Sequence, residues 1–567
     1  MIKPFYLFLI IYSLLSAKIY CQNFHLKVYG NSEYETQTID SLNYLKTHFD
    51  FNSIKLEVDS IQKALYRIGY IEHKLTPIKK ENDSTFIAHF HLKKKFNTIY
   101  IYYAKNSIST EILNLISKDV FEDYFIIKFS ETESVLNFIN SKISNQGLPF
   151  SKLRLSNIKA LKNQTLTAEL IIESNTRKRN ISNIIIKGYE KFPRSYLKNY
   201  LNIKPNQSFN LSLIKKKTEQ LNDLKFANQI KAPEVLFSKD STSLYLYLEK
   251  AKSNSFDGFL GFGTNEETNN LELDGYLNLN LTNNLNFGET FRLLYKSDEN
   301  DQKTFDTNLT LPYIFKSPIG VDLQLRIFKR DSSFTTINQS AKLHYQINSK
   351  HKIYAGLLNL ESNNLLTENT TTNNIADYKT SYYSFAYEFI KQQSYNFLFP
   401  VNSKFYFEAN FGKRKRKRID ESQKQSQFTI DAFKTFNLNL KNSIYIRVNS
   451  STLISNTYLE NELFRIGGIN SIRGFEENSL LASSFGIINS EYRLQLTNSI
   501  YINSITDVAY FENKILNTRE KLFGYGFGFG ILTKAGLLKF NYANGKLENQ
   551  KFKLSNFKIH ISITTDF

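Results

Sequence analysis

The residues of this chain that carry chemistry are scattered rather than clustered. Its eight histidines stand at 25, 48, 73, 89, 91, 344, 351 and 560, and none belongs to a His-x-x-x-His pair or a glutamate-containing zinc motif. No Gly-x-Ser-x-Gly elbow is present for acyl transfer. The run Gly524-Tyr525-Gly526-Phe527-Gly528-Phe529-Gly530 lacks the Gly-Lys-Ser/Thr ending of a phosphate loop and opens no helix, so it reads as a strand. Neither metal catalysis nor hydrolysis is expected, and no cofactor is implied.

The densest charge is Lys413-Arg414-Lys415-Arg416-Lys417-Arg418. In an exported chain it is expected in an outward loop beside anionic headgroups, or simply as a solvated loop.

Composition bounds the elements that position such residues. The chain has 567 residues, 41% hydrophobic and 22% charged, with 47 Phe, 35 Tyr, no Trp and one Cys. This is the composition of a folded protein of several domains. No interior stretch approaches the roughly 18–20 apolar residues of a membrane helix. The formal charge of +19 suggests nucleic acid, anionic lipid or acidic protein partners. The N-terminus argues against nucleic acid, because Lys3, the apolar run Phe5 to Leu15 and the small residues Ser16-Ala17 read as a signal peptide over residues 1–21. Cleavage after Cys21 leaves no cysteine and hence no disulfide; acylation of Cys21 is the alternative.

From Phe24 to about Ala251, strand patterns alternate with amphipathic helical patterns in three cycles of roughly 75 residues each. The first, 22–95, places helical pattern near Ile39 to Thr47 and again through Ile54, Val58, Ile61, Leu65 and Ile68, closed by Gly69. The second, 96–178, is the least regular. The third, 179–253, reads β-α-α-β-β most clearly, from Ile181 to Glu249.

Beyond Ser253 helical periodicity disappears, and residues 254–567 read as alternating strands joined by seven short and eight longer connections, hence sixteen strands. Repetition of such strands favours a closed membrane barrel, since only closure satisfies the backbone within lipid. In the glycine-rich strand Phe523, Tyr525, Phe527, Phe529 and Ile531 are expected to face lipid, and Gly524, Gly526, Gly528 and Gly530 to leave room at the inner wall. The first strand carries Gly258, Gly261 and Gly263, which either weaken a seam or relieve crowding near a turn.

The loop between the eleventh and twelfth strands holds Arg465-Ile466-Gly467-Gly468-Ile469-Asn470-Ser471-Ile472-Arg473-Gly474-Phe475-Glu476. Here the chain resembles the outer-membrane insertase and transporter superfamily that includes BamA, TamA and the two-partner-secretion transporters. In that family POTRA domains of β-α-α-β-β order precede a sixteen-stranded barrel, and a Gly-Gly…Val-Arg-Gly-Phe/Tyr loop folds into the lumen; Ile472 stands here where Val is usual. The resemblance implies that Arg473 pairs with Asp507 and Glu491 on the inner wall, with Ile505 replacing the usual Phe two residues before Asp507. The terminal Phe567 resembles the C-terminal signature of barrels bound for the outer membrane.

Three POTRA-like units make the chain most similar to TamA-like members. The resemblance implies a non-enzymatic factor in the bacterial outer membrane, its POTRA arm in the periplasm. Such a factor inserts or exports client polypeptides through a lateral seam. Its partners are clients, outer-membrane lipid and accessory proteins of the periplasm or inner membrane, with no nucleic acid. The alternatives are a passive channel or surface receptor, or a two-partner-secretion-type transporter.

Overall fold

The computed structural model describes residues 23–173, 177–264, 271–297, 302–330, 333–366, 374–417, 422–533, 536–551 and 557–564. The signal-peptide region, Cys21 and Phe567 lie outside them. The chain forms two compact units that divide in sequence near residue 180.

The first unit contains two α+β domains, each built on a parallel pairing of its first and last long strands. In the first domain Phe24–Gly30 runs parallel to Thr85–His91, where Phe86, Ala88 and Phe90 turn to the core. The helix Phe51–Arg67 packs on this sheet through Ile54, Val58, Ile61 and Leu65, spaced four, three and four residues apart on one face. It starts where it does because Asp50 accepts from the Ser53 backbone N–H at 2.7 Å, and it ends before Gly69, whose φ of 105° a residue with Cβ adopts only under strain. The helical pattern expected near Ile39 to Thr47 lies earlier, at Glu33–Asp40. Ser32 caps that helix by accepting from the Glu35 N–H, so the side-chain cap outweighed the apolar spacing farther along.

In the second domain Thr98–Tyr103 pairs with Thr165–Glu173 in parallel and with Tyr124–Lys128 antiparallel. The helix Thr132–Asn145 buries Val135, Ile139 and Ile143.

The second unit begins with the third domain. Asn183–Gly188 pairs in parallel with Thr242–Lys250, which pairs antiparallel with Ala227–Phe237, behind helices Ser195–Asn199 and Leu211–Thr218.

An antiparallel sheet of sixteen strands follows. Its strands are β1 (Ser255–Thr264), β2 (Leu271–Thr282), β3 (Thr290–Ser297), β4 (Gln302–Leu311), β5 (Ile319–Arg330), β6 (Phe334–Asn348), β7 (His351–Asn364) and β8 (Tyr378–Gln392). The remainder are β9 (Val401–Arg416), β10 (Ser422–Asn437), β11 (Asn442–Ile454), β12 (Ser484–Gln495), β13 (Ile500–Asn513), β14 (Thr518–Thr533), β15 (Gly536–Leu547) and β16 (Phe557–Thr564). Each pairs with its neighbours in sequence, so the order is a simple meander.

The sheet is inside out relative to a water-soluble one. On β6 Leu343 and Tyr345 are exposed while His344 and Gln346 are buried; on β8 Tyr383 and Phe385 are exposed, at 67% and 55%, while Tyr382 and Ser384 are buried. Apolar side chains outside and polar ones inside are the pattern of a barrel standing in lipid.

Third domain and sheet meet through aromatic side chains. The Tyr196 hydroxyl donates to the Gly288 carbonyl at 3.1 Å, its ring meets Tyr313 edge-on at 4.8 Å, and the Tyr189 hydroxyl accepts from Asn283 Nδ2 at 2.7 Å. The connections β2–β3 and β4–β5 therefore lie at the third domain's end of the sheet.

Candidate functional site

The segment 455–483 between β11 and β12 folds against the inner face of the sheet. It forms a small hairpin, Phe464–Ile466 with Leu480–Ala482, whose apolar anchor comprises Ile466, Ile472 and Ala482 packed on Phe485, Ile487, Ala509 and Leu522 of the wall. Gly467 and Gly468 enter the turn at φ of 111° and 95°.

Arg473 stands at the tip, 4% exposed. Its Nε and Nη2 donate to the two oxygens of Asp507 at 2.8 and 2.6 Å, its backbone N–H donates to Asp507 Oδ2 at 3.0 Å, and its Nη1 donates to Glu491. Glu491 also accepts from Arg493 Nε at 2.7 Å, and the Arg493 guanidinium lies 3.8 Å from the Tyr445 ring centroid. Two cations thus meet two carboxylates in a site nearly closed to water. The fork geometry of the guanidinium matches a carboxylate in two parallel bonds, which is what offsets the desolvation of both charges.

The strand register explains the closeness. Asp507 on β13 sits opposite Gly524 on β14, and a Cβ on Gly524 would fall 2.4 Å from the Arg473 carbonyl oxygen. A side chain there would displace the loop tip. Gly474, at φ 90°, passes over β15, where its own Cβ would meet the Gly545 nitrogen at 2.3 Å. Phe475 packs beside the Ile472 cluster.

Several anchors of this segment carry no local sequence signal. The Gly474 N–H donates to His560 Nε2 on β16 at 3.0 Å, Arg447 Nη1 donates to the Asn470 carbonyl at 3.0 Å, and Asn489 Nδ2 donates to the Ser471 carbonyl at 2.8 Å. The alternation of β16 marks His560 as inward-facing; nothing in the sequence marks its partner.

The basic run requires a correction. Lys413 to Arg416 belong to β9 rather than to a loop, and Arg414 is 1% exposed on the inner face, paired with Glu462 and donating to Thr457 Oγ1 at 2.6 Å. An arginine on the inner wall of a filled barrel needs a carboxylate, and the segment 455–483 brings one. Arg414→Ala leaves the shielded Glu462 carboxylate with the Leu459 N–H and Gln425 Nε2 but without the Arg414 charge, a loss of about 3–5 kcal/mol. A lowered denaturant midpoint of the detergent-solubilised protein is the expected result, and pairing the change with Glu462→Gln, which removes the stranded charge and keeps an acceptor for the Leu459 N–H, should restore part of it.

The glycines of β1 pair across to β2: Gly258 with Leu277, Gly261 with Asp274 and Gly263 with Glu272. Among the described residues no pairing joins β1 to β16.

Residues 180–250 match the family model described as POTRA, surface antigen variable number repeat. No curated protein matches the sequence. Among solved structures the chain is similar to BamA from Haemophilus ducreyi lacking POTRA domains 1–3, with 14% identity over 81% of this chain and 97% of that one and a TM-score of 0.49. It is similar to CdiB from Acinetobacter baumannii, with 15% identity over 80% of this chain and 86% of that one, and to CdiB from Escherichia coli, with 13% over 88% and 97%, each at a TM-score of 0.49. A POTRA domain thus lies directly ahead of the sixteen-stranded sheet, with Arg473-Gly474-Phe475 in the segment after its eleventh strand. With apolar residues on its outer face, the sheet belongs in the outer membrane and the POTRA domain in the periplasm.

Proposed function

We propose that this protein inserts or exports client polypeptides at the outer membrane, using its POTRA arm to receive them and its barrel to pass them on, without covalent chemistry. The observation that carries the reading is the lumen segment 455–483, held at its tip by Arg473 between Asp507 and Glu491. A passive channel gains nothing from a buried ion cluster holding a plug beside its last strands. A machine that must keep its lumen ordered while its wall opens does.

An extended client adds to a POTRA strand edge through backbone hydrogen bonds and is handed to a seam between β1 and β16. The glycines at 258, 261 and 263 keep the first side of that seam weakly packed. Three POTRA-like units ahead of the sheet favour a TamA-like member over a two-partner-secretion transporter, with accessory proteins of the periplasm or inner membrane as further partners.

Depletion of the protein followed by proteomics of outer-membrane fractions tests the reading. Loss of one or a few barrels or surface proteins is expected of a TamA-like factor, and general loss of a core insertase. An unchanged outer-membrane proteome would overturn the proposal in favour of a passive channel.

A further inference from the structure

Turns at one end of a sheet are normally polar where they face water. Five of those at the third domain's end of this sheet are not. Of the seven connections there, residues 283–289 expose Leu285 and Phe287, 312–318 expose Phe315, and 393–400 expose Tyr395 and Phe397. Residues 438–441 expose Leu438 and Leu440, and 496–499 expose Leu496. Phe315 is 97% exposed and Leu440 94%, more than any side chain needs to be in a turn that could fold it back. Phe315 is also held at φ 53°, between Tyr313 at 57° and Lys316 at 59°, an arrangement that presents the ring outward at a cost in backbone strain.

Charge at these tips has one sign. Lys316 follows Phe315 and Lys441 follows Leu440. Among the described residues of these connections the sole acid is Glu289, which is 6% exposed and accepts from the Leu285 and Phe287 backbone N–H groups, so it caps its own turn. A groove of about 600 Å³ runs between the third and fourth of these turns, where Tyr395, Phe397, Leu440 and Lys441 stand beside the uncharged amides of Asn396 and Asn439.

The geometry points to a lipid surface as the partner: the apolar turn tips enter the periplasmic leaflet, with Lys316 and Lys441 at its phosphate level. Aromatic and aliphatic side chains flanked by lysine, without exposed carboxylate, complement acyl chains capped by anionic headgroups. They also continue the apolar outer face of the strands, where Ile319 and Tyr345 stand exposed just above the same end. A client polypeptide is the competing occupant, but an unfolded segment carries both charge signs and gives no reason for the exclusion of acids. The barrel is thereby gripped by lipid at its turns as well as at its strands, which fixes its depth independently of the POTRA arm.

The chain has no tryptophan, so single Phe315→Trp, Phe397→Trp and Leu440→Trp variants of the full-length protein each carry one fluorescent reporter. They are reconstituted in phosphatidylethanolamine–phosphatidylglycerol vesicles with or without bromine on the acyl chains. Phe385→Trp on the outer face and Phe121→Trp in the second domain set the quenched and unquenched limits. Blue-shifted emission, with at least half of the bromine quenching seen at position 385, is expected at two or more of the three turn positions. Quenching by acrylamide and not by bromine at two or more positions would overturn the proposal, as would shielding that arises only when an unfolded client is added.

Discussion

Arg473→Ala is expected to lower the stability of the folded barrel by about 3–5 kcal/mol and to bring client insertion close to the rate of a protein-free membrane. The reason lies in what remains. Asp507, with a side chain fully shielded from water, loses two charge-assisted bonds and keeps only the backbone N–H of residue 473. Glu491 retains Arg493 and is less affected. Arg473→Lys should recover only part of the loss, because an ammonium is a point donor and cannot span both Asp507 oxygens and Glu491. Arg473→Ala with Asp507→Ala should regain most of the stability while insertion stays low, since the carboxylate is no longer stranded but the loop tip is unpinned. Denaturant titration monitored by heat-modifiable gel migration reads the first quantity and a client-folding assay the second. If the double variant inserted clients at the native rate, the pin would be structural and nothing more.

Gly474→Ala should have the second-largest effect, although it adds one methyl group. The residue sits at φ 90°, where a side chain costs about 1–3 kcal/mol, and its new Cβ would lie 2.3 Å from the Gly545 nitrogen. The obstacle is backbone held in the β15 ladder, so the loop tip must lift, and overpacking adds about 1–3 kcal/mol. Lifting the tip also pulls the residue 474 N–H from His560 on β16. Gly486→Ala is the matched control: its nearest neighbour would be Ser450 Oγ at 3.9 Å, ordinary contact, and it should insert clients normally. Equal activity of the two alanine variants would show that the tip's fit against β15 does not matter.

What the sequence made legible and what it hid differ by the range of the interactions. Period-two alternation and turn composition are local, and the short turns they give at Asn283-Asn284, Ser317-Pro318, Asn437 to Asn442 and Thr497 to Ser499 overlap those of the sheet. The turn expected at Pro400 to Ser403 instead falls mostly within β9, which starts at Val401, and Lys534-Ala535 lies outside the described residues. The buried faces of Phe51–Arg67 and Thr132–Asn145 are equally local, readable from spacing alone. Arg473 was legible only through its setting of glycines and Phe475. The pairing of Arg414 with Glu462 was not, because six consecutive cations erase the alternation that would have shown Arg414 pointing inward between outward Lys413 and Lys415. Contacts such as Gly474 with His560 join residues 86 apart in sequence, and no spacing rule reaches that far.

The central claim is that this barrel moves polypeptides. Its most direct test is reconstitution of the full-length protein in vesicles, addition of an urea-unfolded outer-membrane barrel as client, and measurement of the client's folding rate by protease protection. Folding at least tenfold faster than in empty vesicles is expected, with the gain lost in the Arg473→Ala protein. Folding at the empty-vesicle rate, together with steady ion conductance through the reconstituted protein, would contradict the claim.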